Sequence, residues 1–266
     1  MTVHMTAGRM ADVRLENVSK TYGTPGGDVV AMAGVSLRIA SGEFVAVVGA
    51  SGCGKSTLLR ILAGFETATA GVVEVGGAPV AGPGPDRGVV FQDYGLFPWL
   101  TVRENVSYGL ARKRMPKSEL RQVADRFIGA VGLSRFAEKY PSQLSGGMQQ
   151  RVAIARVLAN DPSLLLMDEP FGALDALTRS DLQAELKRIH AETQTTVVFV
   201  THSIEEAVFL ADRVVVMTGG ASHGLPGHVS RVVPVELVDR DVTAPEFNAV
   251  KREIAELVHA VPAEVG

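Results

Sequence analysis

Apolar residues along this chain change spacing several times, and each change marks an element. Val13–Val18 and Val35–Ile39 read as short strands around a glycine-rich loop, "YGTPGGD". Glu43–Val48, "EFVAVV", is a mostly apolar run of strand length. It meets a second glycine loop, and "KSTLLRILAGF" follows at helical spacing with a closing glycine. Gly71–Val80 alternates like a strand or hairpin, and Gly88–Gln92 is a short apolar strand ending in a polar residue.

From about Thr101 to Tyr140 the pattern becomes amphipathic and helical, with Leu120, Val123, Phe127 and Val131 on one face. This predicts a helical insertion in an α/β core. Helix (Gly146–Ala159), strand (Leu164–Asp168), helix (Thr178–Glu192), strand (Thr196–Thr201) and helix (Ile204–Ala211) then alternate. Such alternation predicts a mainly parallel sheet covered on both faces. After a strand at Val214–Met217 the chain reads as loop through "GGASHGLPGH", then as a strand, Val229–Val235, and a helix, Pro245–Val258.

The composition, 46% hydrophobic and 21% charged over 266 residues, fits one sizeable soluble core with or without a subdomain. A net charge of −3, from 26 basic and 29 acidic residues, argues against a nucleic-acid-coating surface. The single cysteine, Cys53, excludes an internal disulfide framework and fits a reducing compartment. No apolar run approaches the roughly 18–20 residues that span a bilayer. "MTVHMTAGRMADV" lacks the basic start and apolar core of a secretory signal, so a cytoplasmic chain is expected. Work at a membrane would then need another chain to span it.

Gly49–Ser56, "GASGCGKS", satisfies G-x-x-x-x-G-K-S/T between a strand pattern and a helix pattern, the context this motif requires. Backbone N–H groups of Gly49, Ala50, Ser51, Gly52, Cys53 and Gly54 can wrap phosphate oxygens at a helix N-terminus. Lys55 adds charge for the β- and γ-phosphates, Ser56 a hydroxyl for Mg²⁺, and Thr57 a contact to the α-phosphate. A plain glycine-rich turn is the competing reading, and the flanking elements argue against it.

A second strand ends "SLLLMDEP". Its carboxylates put Asp168 where it can hold Mg²⁺ or its water near Ser56, and Glu169 where it can orient or deprotonate an attacking water. A helix N-cap pair before "PFGALD" is the alternative. A third strand, "VVFVTHS", leaves His202 at its end. A lone histidine is more often structural, but three strands ending in phosphate chemistry suit the carboxyl edge of an α/β sheet. Gln92, ending "GVVFQ", is a weaker fourth case. "LSGGMQQR" adds a second glycine-rich helix start.

Together these residues resemble one family, the ATP-binding subunits of ATP-binding cassette (ABC) transporters, over about Val13 to Met217. The position of "LSGGMQQR", between the phosphate loop and "LLLMDEP", makes the resemblance specific, because adenylate-type kinases and small GTPases lack it. The resemblance implies a P-loop NTPase core of α/β class with a mainly parallel sheet, an N-terminal antiparallel β subdomain and an inserted α-helical subdomain. The cassette would occupy residues 11–240, its helical subdomain about 96–160, and a helical tail 241–266. ATP and Mg²⁺ are the implied cofactors. Tyr22 would stack on adenine, Gln92 would contact Mg²⁺ and water and sense membrane subunits, and His202 would hold the γ-phosphate. Two copies would sandwich two ATP head to tail, with Asp175 at the seam. Ser145, Gly146 and Gly147 of one copy would face the γ-phosphate held by Lys55 of the other. Unpaired N–H groups and the dipole of a helix start favour such an anion, though a simple helix-start loop would look the same.

"GPGPDRGVVFQDYGLFPWLTVRENVSYGL", "DEPFGALDALTR", "THSIEEAVFLADRVVVM" and the tail resemble the nitrate/sulfonate/taurine importers. The residues after Met217 are too few for the regulatory domain of sugar-importer cassettes. One departure is "GGASHGLPGHVSRV", where relatives often carry a "GRPGRV"-like turn; it is expected to touch no catalytic residue. Trp99 is either a subdomain core residue or, with Phe97 and Leu100, part of a groove for a coupling helix. "RKRMPK" reads as a solvated face. The implied protein drives uptake of a small anion such as an aliphatic sulfonate, taurine or nitrate, with a pyrimidine precursor as the alternative solute. It would sit on the cytoplasmic face of the membrane with two transmembrane permease subunits and an extracytoplasmic substrate-binding protein, and no nucleic acid. Soluble cassettes of translation or DNA repair are rivals that usually carry fused cassettes or a long coiled-coil insertion; an exporter subunit fits the "FPWLTV" segment less well.

Overall fold

The computed structural model describes residues 10–91, 93–172, 174–220 and 224–259. Strands β1 (Val13–Thr24) and β2 (Gly27–Ile39) form an antiparallel hairpin, and β4 (Ala70–Val75) and β5 (Ala78–Pro79) extend it along β1. The predicted loop at Tyr22–Asp28 is mostly paired: Tyr22 lies opposite Val29, Gly23 opposite Asp28 and Thr24 opposite Gly27. Glycine-rich sequence concealed these rungs because its polar, small residues need only a backbone partner, which Thr24 reinforces by donating to Gly27 O at 2.6 Å.

β3 (Phe44–Gly49) is the centre of the parallel half, between β8 (Thr196–Val200) and β9 (Arg213–Gly220). β7 (Leu164–Asp168) follows β8, and β6 (Arg87–Val90) closes that side. β10 (Leu225–Pro234) pairs antiparallel with β9 and touches β2 at Gly227, joining both halves. Among the described residues the sheet has ten strands in the order β5-β4-β1-β2-β10-β9-β3-β8-β7-β6. The stretch after Met217 expected as loop is thus largely hairpin.

Alternate residues of β3 enter different cores, as the period of a strand requires. Val45 and Val47 pack with Leu58, Leu59, Ile61 and Leu62 of α1 (Lys55–Ala63). Phe44, Ala46 and Val48 belong to the core under the remaining helices. α1 stops at Gly64, whose φ of +78° is a left-handed cap, and its missing side chain lets Gly82 approach.

The helical insertion comprises α2 (Val102–Arg112), α3 (Lys117–Ala130) and α4 (Gly146–Leu158). Thr101 and Glu104 form a capping box at α2, and buried Asn105 bonds Phe97 and Leu100, fixing the preceding loop. Helices α5 (Ala176–Thr193), α6 (Ile204–Leu210) and α7 (Pro245–His259) complete the cover. Among the described residues no helix is long and apolar enough to cross a membrane.

Candidate functional site

The apolar run of β3 must end where its backbone leaves the sheet, and the turn it enters is built on glycine. Gly49 has φ +155°, and a Cβ there would lie 2.2 Å from Met217 O and 2.8 Å from Cys53 Sγ. Gly54, at φ +96°, starts α1 without a side-chain cap, leaving the helix N–H groups facing the loop. The Lys55 ammonium is held across this turn, donating to Gly49 O at 2.7 Å and Ala50 O at 2.9 Å. Ser51, Gly52 and Ser56 are exposed, and Thr57 is half-buried. Cys53 is buried, and burial pushes its thiol above the usual range, so it serves as a neutral, space-filling group.

The hairpin β9–β10 backs this loop. A Cβ on Gly220 would meet Gly52 O at 2.6 Å, and one on Gly227 would meet Cys53 O at 2.0 Å. The turn thus lies against Gly52 and Cys53, its glycines letting the hairpin backbone approach the glycine loop directly.

Ends of β7 and β8 converge on the same edge. Ser56 Oγ donates to Asp168 Oδ1 at 3.3 Å. Burial raises the Asp168 carboxyl above the ordinary aspartate range, opposed by the Ser56 hydrogen bond and abetted by Glu169. Glu169 Oε2 lies 3.3 Å from His202 Nδ1. Its backbone sits at φ +47°, strained for a non-glycine residue, and is pinned by Glu169 N donating to Val200 O at 2.9 Å. Strand-end carboxylates and histidine thus come together as the sequence predicts, and the N-cap alternative for Asp168 and Glu169 fails: Asp175 caps α5, accepting from Thr178 N at 3.0 Å.

Other expected residues stand apart. Ser145 caps α4 by accepting from Met148 N, and among the described residues no hydrogen bond joins Ser145, Gly146 or Gly147 to the Gly49–Thr57 loop. Tyr22 is half-buried on β1 with Lys20 Nζ 4.9 Å from its ring centre. Gln92 lies outside the described residues. Trp99 is 71% exposed, so it is not a core residue. Phe97 and Tyr108 pack with ring centres 4.5 Å apart and planes tilted by 42° along a groove of about 710 Å³, whose rim carries Arg112, Lys113 and Arg156.

A glycine loop of phosphate-loop pattern, an acidic strand end and a strand-terminal histidine meet on one sheet edge, and comparison with known proteins decides the family. The ABC transporter family model matches residues 32–172. The chain belongs to the ABC transporter ATP-binding family. The cassette is 50% identical to an uncharacterised ABC transporter ATP-binding protein of Methanocaldococcus jannaschii, covering 92% of this chain and 91% of that one. It is 53% identical to the nitrate import ATP-binding protein NrtD of Synechococcus elongatus, over 76% and 75% of the two chains. A solved dimeric cassette in a post-hydrolysis state with ADP and Pi superposes with a TM-score of 0.75 at 37% identity, over 85% of this chain and 99% of that one. The cassette is an ATPase.

Sequence reasoning missed several residues that shape this cassette's site. Arg156 of α4 donates to Tyr94 O and Gly95 O (2.7 Å) and lies over the Phe97 ring, fixing the loop that follows Gln92. Its position in "AIARVLA" carries no signal, because the partners are backbone carbonyls 61 and 62 residues away. Glu206 is buried behind His202, and burial raises its carboxyl above the usual glutamate range. Ser203-x-x-Glu206 looks like a capping box, but Glu206 Oε2 accepts from Thr201 Oγ1 at 2.6 Å instead of from the cap backbone.

Proposed function

We propose that this cassette hydrolyses ATP as a head-to-tail pair and drives import of a small anion through two transmembrane subunits served by an extracytoplasmic binding protein. The observation that carries the catalytic half is the convergence of Lys55, Ser56–Asp168 and Glu169–His202 on one sheet edge. The Ser56 hydroxyl and the Asp168 carboxylate are hard oxygen donors side by side, and they fit Mg²⁺ held mainly by nucleotide phosphates and water. Among the described residues no cluster of three His, Cys, Asp or Glu side chains could hold a metal alone. Ser56 and Asp168, with Gln92, would hold Mg²⁺, which supplies charge neutralisation at the transferring phosphate.

Lys55 and the N–H groups from Gly49 to Thr57 bind and orient the phosphates. Glu169 accepts a proton from, or orients, the attacking water, and its pinned backbone fixes the carboxylate's direction. His202, beside Glu169, faces the γ-phosphate, and Tyr22 stacks on the base. Ser145, Gly146 and Gly147 present free helix-start N–H groups to the γ-phosphate of the partner copy, with Asp175 at the seam. Support for pairing comes from the dimeric form of the solved relative.

Nitrate import by the NrtD relative supports an anion as cargo, with sulfonates and taurine in the same chemical class. The half-exposed apolar groove at Phe97 and Tyr108, beside exposed Trp99, suits a helix of the membrane subunit. Glu169→Gln lowers kcat by about 100-fold or more while ATP-dependent pairing persists. Lys55→Ala abolishes nucleotide binding or turnover. Wild-type turnover in either variant refutes the catalytic assignment. Turnover of the complex reconstituted with its permease and binding protein rises with nitrate, taurine or a sulfonate; a response to a pyrimidine precursor and to none of these anions refutes the anion.

A further inference from the structure

His202 is 68% exposed at its side chain and lies in the short gap between β8 and α6. Where α6 sits therefore decides where His202 points. With seven residues, α6 is too short to persist by itself, so its neighbours must hold it. At its start, Thr201 Oγ1 accepts from Ser203 N at 3.0 Å and donates to Glu206 Oε2, while Ser203 Oγ accepts from Glu206 N at 3.3 Å. These bonds close a ring around His202.

Helix α5 adds Arg179 Nε at 3.7 Å from Glu206 Oε1 and Lys187 Nζ at 5.0 Å from the Phe209 ring centre, and the C-terminal segment adds restraints at both ends of α6. Arg240 Nη1 donates to Val208 O and to Ala211 O (2.8 Å), satisfying carbonyls at the end of α6, and Nη2 reaches Val235 O at 3.3 Å. A cation there also complements the helix dipole. At the opposite end, Lys251 Nζ of α7 pairs with Glu205 Oε2 at 2.6 Å in the first turn of α6. Phe247 and Ile254 of α7 are fully buried in the core that also takes Ala207, Val208 and Leu210. One segment thus grips α6 at both ends and along its apolar side.

We propose that Val235–His259 is a brace that sets the position of His202, with Arg240 as its positioning residue. The proposal rests on His202 facing the γ-phosphate. Loosening the brace slows hydrolysis and spares the hold of the phosphate loop on a nucleoside diphosphate.

The test uses the full-length chain, with kcat and KM for MgATP and Kd for MgADP measured in parallel. His202→Ala loses turnover and keeps MgADP binding; normal turnover there removes His202 from the reaction, and the proposal with it. Arg240→Gln lowers kcat on the order of tenfold and leaves the MgADP Kd within about twofold of wild type, and Arg240→Lys restores part of the loss. Lys251→Glu, at an exposed pair that the fold does not need, lowers kcat by roughly two- to threefold and decides the question if Arg240→Gln does not fold. Wild-type kcat in Arg240→Gln, or a weakening of MgADP binding equal to its loss of kcat, overturns the brace.

Discussion

Gly49 shows how little freedom a single position has at this site. Its φ of +155° and the 2.2 Å approach of Met217 O leave no room for a methyl group. Gly49→Ala therefore costs about 3 kcal/mol or more, from strain and overpacking together, read as a lowered urea midpoint. Glu206 carries a different constraint. Its carboxyl is raised by burial, so the folded state holds its proton to higher pH than the unfolded chain does. That contribution is fully present below the ordinary glutamate pKa of about 4.3 and is lost as pH rises through the folded value. Glu206→Gln, which keeps an acceptor for Thr201, gains stability relative to wild type as pH is raised from about 4 to 7. Denaturant midpoints at both pH values check this; a constant difference shows that burial is not the cause.

At the scale of elements, Arg156 ties α4 to the loop that leaves β6. Arg156→Ala leaves Tyr94 O and Gly95 O without their donor and costs about 1–3 kcal/mol. Amide exchange at residues 94–97 accelerates with it, and unchanged protection there shows that the loop is held by Asn105 alone. Elements with strong periodicity were legible in sequence: β7 runs Leu164–Asp168 as its apolar run predicts, and α7 starts at Pro245. Elements set by backbone pairing were not. The β1–β2 rungs at Gly23 and Thr24 and the β9–β10 rungs at Gly220–Leu225 and Thr218–His228 carry no alternating apolar face, so only tertiary contact reveals them. Candidate site residues were legible because phosphate chemistry restricts their types, as at Lys55, Asp168 and Glu169. Arg156 and Arg240 act through backbone carbonyls far along the chain, and such partners leave no local pattern.

For the molecule as a whole, the helix start at Ser145–Gly147 and the Lys55 loop share no hydrogen bond within the described chain, and a partner copy would unite them. Ser145→Arg then leaves MgATP binding by the isolated chain within about twofold and lowers turnover on the order of 100-fold, by blocking closure. Equilibrium titration and sedimentation check it: a monomer with full turnover and this substitution refutes the shared site. How two copies can meet is narrowed by the outermost strand beside the hairpins. β5 is two residues long and ends in Pro79, which has no N–H to offer a neighbour. Its border gives an incoming chain almost nothing to zip onto, so crowding many cassettes together at that border does not template fibre growth, and encounters there stay reversible.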